Sequence, residues 1–89
     1  MTRRTFQRAI VREKIDGGAL PLGDPVKLWA GFGSGRLCAA CEQPILPSET
    51  EYEPHYADER VPIYFHVDCL GAWEVERRLS VRCRSEGAL

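Results

Sequence analysis

Cys38-Ala39-Ala40-Cys41 and Phe65-His66-Val67-Asp68-Cys69 form the stretch that decides the fold: a C-x-x-C pair and an H-x-x-C pair, with residues 42–65 between them. Two thiol side chains at this spacing on a tight turn can aim both sulfurs at one point. A second pair of the same reach completes a tetrahedron. Three sulfurs and one imidazole are the donor set of a closed structural zinc site. The spacing therefore predicts one structural Zn2+ held by Cys38, Cys41, His66 and Cys69.

The rest of the chain is consistent with that need. At 89 residues it is expected to be a single domain over 1–89. A domain this small buries a limited share of its surface, so a staple is expected. Structural zinc in finger peptides contributes about 10–16 kcal/mol at neutral pH, whereas whole domains are stable by only about 5–15 kcal/mol. On that scale the metal decides whether the chain folds. The sequence contains four cysteines, an even count that a secreted disulfide scaffold would also show. Three of them, however, sit in metal-type spacings beside a histidine, and Cys83 lies apart near the C-terminus. No apolar run of signal-peptide length follows Met1. The expected setting is a reducing cytoplasm, and no stretch approaches the length of a membrane span.

The formal net charge is −1, and its distribution is uneven. Arg3, Arg4, Arg8, Arg12 and Lys14 make the first residues basic, and Arg77, Arg78, Arg82 and Arg84 do the same near the other end. Between them Glu42, Glu49, Glu51, Glu53, Asp58 and Glu59 form an acidic middle.

Along the chain, residues 2–15 read as a helix, capped by Thr2 or Thr5 and stopped by Asp16-Gly17-Gly18. Phe6, Ala9 and Ile10 share one face, Val11 and Ile15 a neighbouring one, and Arg4, Arg8 and Arg12 a third. Such an arginine stripe serves as a solvated face or as a contact for phosphate or an acidic partner. Residues 17–35 are a Gly/Pro-rich connection containing a short strand, Val26-Lys27-Leu28-Trp29-Ala30, with Trp29 expected to cap the core. Gly31-Phe32-Gly33-Ser34-Gly35 superficially suggests a phosphate loop. It leads into the cysteine turn and not into a helix, so it reads as backbone latitude.

Residues 36–84 make the metal module. Residues 36–47 form the knuckle, where amides following Cys38 can point back at its sulfur. Residues 50–56 and 61–66 alternate with period 2 about a polar turn and read as a hairpin, with Pro54 and Pro62 implying edges or bulges. Residues 67–84 read as a helix with Asp68 in its first turn. Its apolar side, Leu70 and Trp73 with Ala72, Val75, Leu79 and Cys83, is expected to pack on the hairpin. Arg77, Arg78 and Arg82 would then face solvent. His55 is the one competing ligand; with Cys83 alone it cannot build a closed tetrahedron, so it reads as a surface histidine.

The order knuckle, hairpin, helix, with the last two ligands at the helix start, resembles a treble-clef zinc finger. The pattern C-x-x-C…Phe-His-x-x-C is similar to the first zinc site of LIM domains, and the likeness covers about residues 36–80. Lys27 to Cys41 with Phe65-His66-Val67-Asp68-Cys69 also resembles small bacterial proteins with paired C-x-x-C and H-x-x-C, a likeness that implies no activity. The expected fold is thus α+β: a small zinc-stabilised treble clef with an added N-terminal helix.

Such a fold serves many functions. The first expectation is a structural zinc-binding protein that acts as a small adaptor or regulator, binding another protein through the hairpin, Trp29 or a helix face. The alternative is a nucleic-acid-binding regulator using Arg4, Arg8, Arg12, Arg77, Arg78 and Arg82, for which a pI of about 6.1 is low. An enzyme is not expected, because four protein ligands leave no open metal position and no catalytic triad or carboxylate pair is legible.

Overall fold

The computed structural model describes the backbone of residues 3–58 and 60–87, and the side chains of residues 7–58 and 60–80. Expectations for Thr2, Arg4, Phe6, Glu59, Arg82, Cys83 and Arg84 lie outside these described residues or side chains. The chain is a small α+β unit. Helix α1 (Arg3–Asp16) is followed by strand β1 (Lys27–Phe32), strand β2 (Thr50–His55) and helix α2 (Val67–Gly87).

Helix α1 contains no glycine or proline, and it ends where two glycines begin. Gly18 takes φ +82°, a conformation that glycine adopts without steric cost. The chain folds back there, with Ala19 N and Leu20 N donating to the Lys14 carbonyl at 2.8 and 3.0 Å. This reversal drops Leu20 beside Val11 and Ile15, and all three are buried.

Strands β1 and β2 pair antiparallel, from Lys27 opposite His55 to Phe32 opposite Thr50. This corrects the expected hairpin, in which residues 50–56 pair with 61–66. The 61–66 segment keeps a single bridge, Tyr52 to Phe65, with N–H···O bonds of 3.0 and 2.9 Å. Pro62 has no N–H to extend a ladder, whereas β1 offers six uninterrupted residues. The knuckle thus sits inside the connection between the two paired strands. It is held as a miniature hairpin by Gly35 N to Ile45 O (2.9 Å), Ile45 N to Arg36 O (2.8 Å) and Cys38 N to Gln43 O (2.9 Å).

The core gathers Val11 and Ile15 from α1, Leu20, Ile45, Phe65, and Leu70, Ala72 and Trp73 from α2. Trp73 is fully buried, stacks on Phe65 at 5.1 Å between ring centroids, and donates its indole N–H to the Pro21 carbonyl at 2.9 Å. The aromatic at the centre is therefore Trp73. Trp29, expected to cap the core, is 55% exposed, because β1 hangs at the outer side of the sheet. Helix α2 packs chiefly on α1 and only lightly on β2. The two helices meet along a face that buries Cys69, Ala72, Trp73, Glu76 and Arg77, so Val75 and Leu79 are left exposed. Among the described residues, no helix is long and apolar enough to cross a membrane.

Candidate metal centre

The knuckle delivers Cys38 and Cys41, and the start of α2 delivers Cys69, with His66 one residue before the helix. Ligand atoms of all four lie within 4.8 Å of one another. Cys41 Sγ and His66 Nδ1 lie 3.3 Å apart. A zinc tetrahedron with bonds of about 2.3 Å to sulfur and 2.0–2.1 Å to nitrogen has S···N edges of about 3.6 Å. The cluster therefore has the size and donor chemistry for one metal ion, compatible with zinc.

Three features of the surroundings orient these donors. First, His66 turns Nδ1 into the cluster, which leaves Nε2 to carry the ring proton. Nε2 lies 3.2 Å from the Pro44 carbonyl and 3.6 Å from Glu49 Oε1. Glu49 is itself fixed by accepting from Leu46 N at 2.9 Å. Such outer partners set the tautomer and orientation of a ligating histidine. Second, Gln7 of α1 reaches Cys69, with Nε2 3.7 Å from Sγ. Third, Lys14 donates to the Ala39 carbonyl at 2.9 Å and lies 3.6 Å from Glu42. Helix α1 is thereby tied to the knuckle as well as to α2. Neither Gln7 nor Glu49 carries a spacing signal that a sequence reading could use.

Three thiols this close cannot all ionise without a cation between them. The hydrogen bond from the Cys69 thiol pulls Cys38 down to about 4, helped by the amides of Cys41, His66 and Ala40 and opposed by burial. Burial, with the adjacent Cys38 charge, pushes the Cys41 thiol up. Cys69 is driven far above the usual thiol range, first because its proton bonds to Cys38 and then by burial and the neighbouring charges. Held in this geometry without a metal, the cluster places its negative charge preferentially on Cys38. Cys38 and Cys69 are almost fully buried, whereas Cys41 and His66 are half-buried. The latter two border a cleft of about 520 Å³ whose other walls include Gln7, Ile10, Leu46 and Glu49.

Backbone geometry shapes the knuckle. Glu42 adopts φ 63° directly after Cys41 and donates its N–H to the Cys38 carbonyl at 2.9 Å, closing the turn. Gly33 runs so close to the Ile45 and Leu46 carbonyls that a Cβ there would lie 1.9 Å from the Leu46 carbonyl oxygen.

Of the arginines singled out by the sequence whose side chains are described, two are held in contacts within the molecule. Arg8 is bound to Glu76 at 2.8 Å across the two helices. Arg77, expected to face solvent, is buried. It ion-pairs with Asp24 and lies over Trp73 at 4.8 Å. The α1 contact turns this side of α2 inward, so Arg77 serves the interior. Arg12 and Arg78 are exposed, while the side chains of Arg4 and Arg82 lie outside the described ones. His55 is away from the cluster, 3.2 Å from Glu53 Oε2 and edge-on to Trp29 at 5.8 Å.

Fold and site together define a small α+β protein whose Cys/His cluster can hold a metal ion. Comparison with protein-family models, with curated proteins and with solved structures gives no match for this chain.

Proposed function

We propose that this chain is a zinc-stabilised treble-clef module, with α1 as an addition, that acts as a small protein-interaction adaptor or regulator and has no catalytic role. Four protein donors around one point favour a structural zinc over a catalytic one, since a catalytic ion keeps a position free for water. The observation that carries the interaction reading is β1. All six of its residues are exposed, and Leu28, Trp29 and Phe32 among them are large and apolar. Exposed apolar groups on both faces of one strand, Leu28 and Phe32 on one and Trp29 on the other, favour a binding surface. Nucleic-acid binding is the less favoured reading, because Arg8 and Arg77 are engaged within the molecule.

The test has two arms. Metal analysis of the purified protein should give one equivalent of zinc, and a strong chelator should abolish its circular-dichroism signal. A metal-free, folded chain would overturn the zinc reading. The zinc-loaded protein should then retain a defined protein from cell extract that a Trp29→Ser variant loses. Retention of nucleic acid alone, released by moderate salt, would overturn the adaptor reading.

A further inference from the structure

β1 is an edge strand, and its outer edge is open. Gly33 N donates to Glu49 O at 2.9 Å, which sets the phase of the ladder. Alternation then points the N–H and C=O groups of Gly31 and Trp29 toward β2, and those of Leu28, Ala30 and Phe32 outward. Among the described residues, no backbone group bonds those outer positions. Proteins ordinarily blunt such an edge with proline, charge or a bulge. Here it bears Leu28 at 45% exposure and Phe32 at 89%.

We infer that β1 is a pairing site for β1 of a second copy of this chain, forming a continuous four-stranded antiparallel sheet across a two-fold axis. The inference rests on the proposed role of β1 as an interaction surface and names its occupant. Self-complementarity of β1 selects a second copy. With the axis at Ala30, the outward-facing residues exchange backbone bonds with their opposites: Leu28 with Phe32 of the other copy, and Ala30 with Ala30. On that face the leucine and phenylalanine, otherwise bare, cover each other. On the opposite face each Trp29 lies across from a Gly31, whose missing side chain leaves room for the indole. Nothing stands within 4 Å of the place a Gly31 Cβ would occupy. A shift of two residues in one direction would set Trp29 against Trp29, and in the other it would set Phe32 against Ala30 and Leu28 against Ser34, so that the leucine and phenylalanine no longer cover each other.

Charge selects it too. Lys27 shares the Trp29 face with Glu51 and Glu53 of β2, as the pairing of Lys27 with His55, Trp29 with Glu53 and Gly31 with Glu51 requires. In the two-fold sheet, Lys27 of each copy lies diagonal to Glu51 of the other, with only glycine between them. Isologous pairing repeats every such contact. A foreign strand would have to reproduce this order of a large group opposite glycine and a cation at one end.

Analytical ultracentrifugation of the zinc-loaded protein from micromolar to submillimolar concentration tests the inference. The wild type should pass from monomer to dimer. Ala30→Pro removes an outward N–H without touching the bonds to β2, and should weaken dimerisation at least about tenfold, as should Phe32→Ser. Phe32→Ser removes a side chain that packs on nothing, so it decides the matter if Ala30→Pro fails to fold. Lys27→Glu should weaken the dimer, and adding Glu51→Lys should restore it. Val75→Lys on the exposed face of α2 should change nothing. A monomer at every concentration, a dimer indifferent to the β1 variants, or one lost with Val75→Lys alone would overturn the inference. A monomeric wild type that still captures a protein through Trp29 would sink self-pairing and leave the adaptor reading standing. A β1-dependent dimer that captures nothing else would do the reverse.

Discussion

Gly33→Ala is the sharpest test of how the sheet and the metal cluster are joined. The added Cβ would lie 1.9 Å from Leu46 O and 2.6 Å from both Ile45 O and Leu46 C. All three are backbone atoms, so no side-chain rotation relieves the overlap. The Leu46 carbonyl must retreat by about 1.1 Å even to reach 3.0 Å, the closest approach that real Cβ atoms show. The peptide that moves carries Ile45, which is fully buried, and follows Pro44, whose carbonyl receives His66 Nε2. Overpacking typically costs about 1–3 kcal/mol; with a fully buried side chain dragged along, the expected cost is the upper end, about 3 kcal/mol. For a domain of this size about 1 kcal/mol corresponds to about 4–8 °C, so the melting temperature of the zinc-loaded protein should fall by more than about 12 °C. Disturbing a partner that orients a ligand lowers metal affinity by about 10–100-fold, readable by competition with a chromogenic chelator. The control is Gly71→Ala: nothing lies within 4 Å of its Cβ position, and replacing a mid-helix glycine should add about 0.5–1 kcal/mol. A Gly33→Ala protein with wild-type stability and zinc affinity would refute this account of the knuckle.

Further outcomes are expected. Cys69→Ser should lose both zinc and the folded circular-dichroism signal, since the ligand is also buried where both helices meet the knuckle; a folded, zinc-loaded variant would contradict the assignment. Zinc binding near pH 7.5 should release about three protons, because the metal-free chain is unfolded and its three ligand thiols are still largely protonated there. Calorimetry in buffers of different ionisation enthalpy measures this, and release of one proton or none would contradict three thiolate ligands. Any fold the metal-free chain retains should gain stability as pH rises from about 4 toward 9. In that window the unfolded chain keeps a proton that folded Cys38 has lost. Above 9 the raised Cys41 and Cys69 reverse the trend, and chemical denaturation across pH reads both slopes. Arg77→Ala should cost about 2–4 kcal/mol, through lost cover of Trp73 and the lost Asp24 pair. Arg77→Met, which keeps the packing, should cost about half as much, and equal effects would mean that charge alone matters.

The metal cluster was legible because its information is local. A C-x-x-C turn and an H-x-x-C helix start each bring two donors together within one turn of chain, and the four residues so picked do converge. Both helices were legible for the same kind of reason: α1 has no breaker before Gly17, and α2 has no proline from Val67 to the end of the described helix, its one interior glycine being Gly71. The residues that orient the donors were not legible. Gln7 meets Cys69 only because α1 packs on α2, and Glu49 meets His66 only because the knuckle folds over.

By itself, then, the sequence determined the Cys/His cluster, the helices and the small α+β class, since spacing and periodicity act through neighbours along the chain. Tertiary structure decided the rest: that β2 pairs with β1 more than with 61–66, that Trp73 and not Trp29 fills the core, and that Arg77 turns inward. A periodic pattern states which side chains share a face. Which face meets the core depends on how distant elements compete for it, and α1 took the side of α2 that the hairpin was expected to cover. β1 was left at the edge with its apolar groups uncovered.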